Sequence, residues 1–109
     1  LVVFDTPQQA LAAAQAMVEA TIAANPGRAA EDRIEVCIGL GYGTVLRIDD
    51  HEVWGSEVNA ASKLGEDLAK GGEILVTDSF RNAVLGEPFD GHGVLFGTRN
   101  VYRFSPAPR

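Results

Sequence analysis

His51-Glu52-Val53-Trp54-Gly55-Ser56-Glu57-Val58-Asn59-Ala60-Ala61-Ser62-Lys63-Leu64 places an amide, Asn59, and a cation, Lys63, four residues apart just inside a predicted helix start. Residues at that spacing share one helical face. The pattern predicts a helix over 56–68 with Ser56 as its cap and Val58, Ala61, Leu64 and Leu68 on its inner side. Asn59 and Lys63 fall on a flank of that stripe, where an amide beside a cation, above a loop ending in Trp54-Gly55, can hold a sugar edge and a phosphate together. Lys70-Gly71-Gly72 ends the helix, with a cation near its C-terminus and glycine beyond.

Upstream of this stretch, Leu1-Val2-Val3-Phe4 has strand character and begins with neither a methionine nor a polar lead-in, so it reads as a strand cut inside a domain. Thr6 can cap, Pro7 suits the first helical position and Gln9 completes a capping box, predicting a helix to about Ala24. Leu11, Ala14, Val18 and Ile22, with Ala10 and Met17 beside them, form its apolar stripe. Asn25-Pro26-Gly27 stops it.

Residues 33–39 alternate, with Ile34, Val36 and Ile38 on one face of a predicted strand. Cys37 lies in that apolar run and reads as a reduced, packed thiol of an intracellular protein, because a lone cysteine forms no internal disulfide. Gly39-Leu40-Gly41-Tyr42-Gly43 lacks the lysine and the following helix of a phosphate loop and leads into a strand, so its glycines predict a bulge or a close approach by another backbone. Asp49-Asp50-His51-Glu52 reads as a solvated acidic turn at a hairpin tip. Four consecutive residues on a turn point in different directions and do not close a metal shell.

Downstream, residues 73–77 predict a strand and 78–85 a short helix capped by Thr77. A loop through Gly86-Glu87-Pro88 and Gly91-His92-Gly93 is expected next, then strands near Val94 to Phe96 and Asn100 to Phe104, with 105–109 a fraying tail. Helices interspersed with strands around a central hairpin describe an α+β domain with a mainly antiparallel sheet.

Composition limits what this domain can do. A chain of 109 residues, 46% hydrophobic and 22% charged, is material for one domain, residues 1–104. Its net charge of -6 argues against nucleic-acid binding, which needs a basic surface to displace counterions. No apolar run approaches the ~18 residues of a membrane span, and no signal-peptide pattern is present, so a soluble, cytoplasmic protein without membrane contact is expected.

Taken in order, Phe4-Asp5-Thr6-Pro7, Gly39-Leu40-Gly41-Tyr42-Gly43, the run from Trp54-Gly55 through Val58-Asn59-Ala60 to Lys63-Leu64, and Gly72-Glu73-Ile74-Leu75-Val76 resemble the C-terminal two-thirds of a class III adenylate/guanylate cyclase homology domain. The resemblance implies a ferredoxin-like cyclase fold lacking its N-terminal strands. It implies that an intact parent converts a nucleoside triphosphate to a cyclic nucleotide and pyrophosphate in intracellular signalling. In that chemistry the ribose 3′-hydroxyl attacks the α-phosphorus, so a site must orient the ribose and neutralise phosphate charge.

By motif match, Asn59 positions the ribose and Lys63 takes the place of an arginine that stabilises the transition-state phosphate. Lysine keeps the charge but lacks the planar fork that holds two phosphate oxygens. Glu52 matches the position that reads the base, and a glutamate accepting from an adenine amino group favours ATP. The family's Mg or Mn ions are held by two aspartates upstream of the matched region; Asp5 sits at the wrong end of its strand to replace them, so no metal ligands are assigned on this chain. The family also dimerises head to tail, which implies a homodimer or a cyclase-domain partner, and the fragment alone is expected to be inactive. Two other readings stay open: a degenerate cyclase-like domain serving as a non-catalytic nucleotide-binding or dimerisation module, and an unrelated α+β domain in which Asn59 and Lys63 are a solvated helix flank.

Overall fold

A computed structural model describes residues 1–47 and 53–105. Helix α1, Pro7–Ala24, starts where its local signals place it. Thr6 Oγ1 accepts from the Gln9 N–H at 3.2 Å and Gln9 Oε1 accepts from the Thr6 N–H at 3.3 Å, a reciprocal capping box with Pro7 just inside. The predicted stripe is covered over only part of its length. Leu11 and Ala14 are buried and Val18 packs against the same core, but Met17 and Ile22 are 45% and 65% exposed.

The main sheet contains β1 (Ile38–Leu40), β4 (Ile74–Thr77), β5 (Phe89–Leu95) and β6 (Arg99–Phe104); a separate ribbon pairs β2 (Leu46–Arg47) with β3 (Val53–Trp54). Main-sheet order is β1-β4-β6-β5, with β1 and β4 parallel and the other two pairings antiparallel. The architecture is therefore α+β, as the element order predicts. Strand β4 is buried on both faces. Ile74 and Val76 pack with Leu11 and Ala14 of α1 and with Phe80, Val84 and Phe104. Leu75 points the other way, into a cluster with Ala60, Leu64, Leu95 and Val101. Phe80 belongs to helix α3, Asp78–Ala83, and Ala60 to helix α2, Ser56–Lys63, so α1 and α3 cover one face of the sheet and α2 the other. Burying each of Leu64, Leu75 and Phe80 contributes about 1.5–3 kcal/mol.

Several expectations are corrected. Residues 1–4 form no strand; Leu1 and Val2 are 79% and 71% exposed, since no neighbouring strand accepts them among the described residues. The strand predicted over 33–39 shrinks to Ile38–Leu40. Both backbone polar groups of Ile34 are taken at 2.8 Å by the Asn25 side chain instead of a strand partner, and Ile34 is exposed. Cys37 is exposed rather than packed. Gly91-His92-Gly93, expected in a loop, lies inside β5, where the register against β6 shifts between Gly91 and Gly93; pairing with β6 on either side of this bulge overrides the glycine signal. Ser105 is tied down by its N–H donating to the Pro88 carbonyl at 2.8 Å, while 106–109 lie outside the described residues.

The glycines after β1 allow the close approach that their spacing suggests. A Cβ on Gly39 would stand 2.1 Å from the Ala61 carbonyl oxygen and 2.6 Å from the Gly65 nitrogen. Helix α2 can lie this close to β1 because no side chain intervenes. Where Gly65 rests against Gly39, the helix widens into a π-helical turn, Leu64–Leu68, closed by the Ala69 N–H on the Leu64 carbonyl at 2.7 Å.

Candidate functional site

Helix α2 carries the two residues singled out by the sequence, and both are exposed. Its cap differs from expectation: Gly55 occupies the cap position and supplies no side-chain acceptor, so Ser56 is the first helical residue. Its inner face is also rotated. Glu57, Ala60 and Leu64 are buried, Val58 and Ala61 are half-buried, and Leu68 is 39% exposed, which corrects the predicted stripe of Val58, Ala61, Leu64 and Leu68. Asn59 and Lys63 remain one turn apart on the outward flank.

Lys63 does not stand alone on that flank. Its Nζ lies 2.5 Å from Asp67 Oδ2, with both side chains about half exposed at 46% and 50%. An exposed pair of this spacing is worth only about 0.3–0.5 kcal/mol. A phosphate could therefore draw Lys63 away at little cost. Glu52, with the rest of the acidic turn, lies outside the described residues.

Behind the exposed flank sits a partly buried polar network that the sequence reading did not anticipate. Glu57 Oε1 accepts from Thr77 Oγ1 at 2.7 Å and from the Tyr42 N–H at 3.0 Å. Its Oε2 lies 2.5 Å from Arg99 Nη1. Arg99 also donates through Nε to Asp78 Oδ1 at 3.1 Å, through Nη2 to the same oxygen, and through Nη2 to Ser79 Oγ at 3.1 Å. Thr77 Oγ1 in turn accepts from the Phe80 N–H at 3.1 Å, capping α3 as predicted. The network thus joins the start of α2, the turn after β1, the end of β4 and the start of β6.

Its electrostatics are consistent with an ion triad. The hydrogen bond from Arg99 holds the Asp78 carboxyl below the ordinary carboxylate range against the opposing effect of burial, with the Ser79 N–H assisting. Asp78 and Glu57 together push the Arg99 guanidinium up, so it stays charged. One signal of this network was present in the sequence. Glu57 falls at helical spacing with Ala60 and Leu64, which makes it a charged residue on an apolar stripe. Its partner Arg99 comes from a distant strand and no local pattern announces it.

A cleft of about 550 Å³ opens between the N-terminal segment, the glycines after β1 and α2. Val58, Ala61 and Ser62 line it, whereas Asn59 and Lys63 do not. The cavity and the sequence-predicted pair are therefore on different sides of α2. Among the described residues, no cluster of three or more His, Cys, Asp or Glu side chains could hold a metal ion.

With this geometry established, comparison with known proteins is informative at one level. No protein-family model matches the chain, and no curated protein matches it. A solved structure does. The crystal structure of an adenylate/guanylate cyclase/hydrolase from Silicibacter pomeroyi superposes with a TM-score of 0.78 at 27% sequence identity, covering 96% of this chain and 66% of that one. The fold is cyclase-like. This chain spans about two thirds of that neighbour's length, with the mixed sheet and packed helices described above. No helix among the described residues is long and apolar enough to cross a membrane.

Proposed function

We propose that the chain is a nucleotidyl cyclase-like domain, the C-terminal two-thirds of a unit that in an intact parent converts a nucleoside triphosphate, with ATP favoured, to a cyclic nucleotide and pyrophosphate. The observation that carries this reading is the 0.78 TM-score over 96% of the chain with a cyclase neighbour, together with Asn59 and Lys63 on one exposed face of α2. In this reading Asn59 orients the ribose through its side-chain amide and Lys63 neutralises phosphate charge. Glu52 reads the base. Mg or Mn and its ligands come from elsewhere in the parent or from a dimer partner, and the 109-residue chain alone does not turn over. The domain acts in cytoplasmic signalling as a homodimer or with a second cyclase domain.

A second reading has its own support. Lys63 stands where the resemblance puts an arginine and lacks that residue's planar fork, which favours a degenerate domain that binds nucleotide or dimerises without catalysis. Titration of labelled ATP with Mn²⁺ into the chain, alone and with a metal-competent partner domain, tests both. Saturable binding that Asn59→Ala weakens, with cyclic AMP formed in the mixture, supports the catalytic reading. Binding without product supports the degenerate one, and no binding in either arm removes the nucleotide from the account.

A further inference from the structure

Helix α2 begins without a side-chain cap, yet its first turn carries the residue assigned to the ribose. With glycine at the cap, no side chain accepts from the first N–H groups of this turn. Glu57 supplies the missing anchorage by another route. Its carboxylate is bound from three directions, by Thr77, the Tyr42 N–H and Arg99, and among the described residues Glu57 and Thr77 are the buried polar side chains. Gly41 and Gly43 leave room for it: a Cβ on Gly41 would stand 2.7 Å from the Glu57 carbonyl oxygen, and one on Gly43 would stand 2.8 Å from Glu57 Cγ.

We propose that Glu57 is a positioning residue, whose fixed carboxylate sets the rotation of the first turn of α2 and thereby the direction in which Asn59 meets the nucleotide. The proposal rests on the reading of Asn59 as a ribose contact. Asn59 lies two residues beyond Glu57, and its N–H donates to the Gly55 carbonyl at 3.2 Å, so the two residues share that turn. Rotating α2 by one residue would swing Asn59 about 100° around the axis. Arg99 acts through Glu57 and not on phosphate, since its donors are directed to Glu57, Asp78 and Ser79. Glu57 itself borders the cleft, but both of its carboxylate oxygens are engaged by Tyr42, Thr77 and Arg99.

Two measurements on the 109-residue chain test this. Glu57→Gln keeps the shape but turns an amide toward Arg99, and amide hydrogen exchange at Asn59 is expected to quicken about tenfold while β4 and β6 stay protected. Unchanged exchange at Asn59 overturns the proposal. In the second measurement, with a metal-competent partner domain present, the affinity for ATP with Mn²⁺ is followed through a double-mutant cycle of Glu57→Gln and Asn59→Ala. Each single change is expected to weaken binding about tenfold, with the double variant no weaker than Asn59→Ala alone. Additive losses mean that Glu57 acts through general stability, and the proposal fails. If Asn59→Ala weakens binding and Glu57→Gln does not, the proposal fails while the nucleotide reading survives. If Asn59→Ala itself changes nothing, the nucleotide reading fails and the proposal goes with it. Should Glu57→Gln not fold, Arg99→Lys loosens the same contact from the other side and is expected to act in the same direction.

Discussion

Arg99 Nη1 lies 2.5 Å from Glu57 Oε2, joining the first residue of β6 to the first turn of α2 across the end of the sheet. The carboxylate is 9% exposed and the guanidinium 24%, so the pair is shielded from water and from salt. Glu57→Ala leaves Arg99 paired with Asp78 and Ser79 but strips Thr77 Oγ1 and the Tyr42 N–H of their acceptor, and is expected to cost about 1–3 kcal/mol, above the loss for an exposed pair. Urea unfolding followed by circular dichroism measures this, and a loss under about 1 kcal/mol would show that the pair is solvated.

Acid should weaken the same region through Asp78. Arg99 lowers its folded pKa below the ordinary 3.8, so the unfolded chain binds the proton more readily than the folded one. The resulting stabilisation is fully present above the unfolded value and disappears as pH falls through the folded one. Urea midpoints should fall below about pH 4, and Asp78→Asn should flatten that acid limb. An equally steep limb in Asp78→Asn would assign the acid sensitivity to other carboxylates.

Two glycines offer a matched pair of substitutions. Gly39→Ala would push a methyl group to 2.1 Å from the Ala61 carbonyl oxygen, whereas a Cβ on Gly91 meets nothing within 4 Å. The first is expected to destabilise by about 1–3 kcal/mol or more, because α2 must lift from β1. The second should stay within about 0.5 kcal/mol. Equal thermal midpoints for the two variants would mean that α2 does not lie on β1 at this distance.

Lys63 gives a prediction for the intact parent. Lys63→Arg should raise turnover more than affinity, because a planar fork can hold two phosphate oxygens as charge develops. Rates of cyclic-nucleotide formation and substrate affinity, measured side by side, check this. An unchanged rate would place Lys63 away from the transition state.

Much of the fold was legible locally. Thr6, Pro7 and Gln9 announced the start of α1, and Thr77 announced α3, because a cap is satisfied by atoms three residues away. Burial was less legible. Ile34, Cys37 and Ile22 sit in runs that read as core, yet each is exposed, since a period shows which face is apolar and not whether anything covers it. For the candidate site, Asn59 and Lys63 could be placed on one face from spacing alone, but the rotation of that face could not.

The sequence by itself determined the α+β order, the capped helices, the glycines that let α2 approach β1, and the resemblance of the Trp54-to-Leu64 stretch to a cyclase motif. Only the tertiary structure decided that Glu57 turns inward where Val58 was expected. Hydrogen bonds of caps and turns close within a few residues and leave a local signature. The bonds that orient α2 come from Tyr42, Thr77 and Arg99, which the folded sheet brings together from three separate segments.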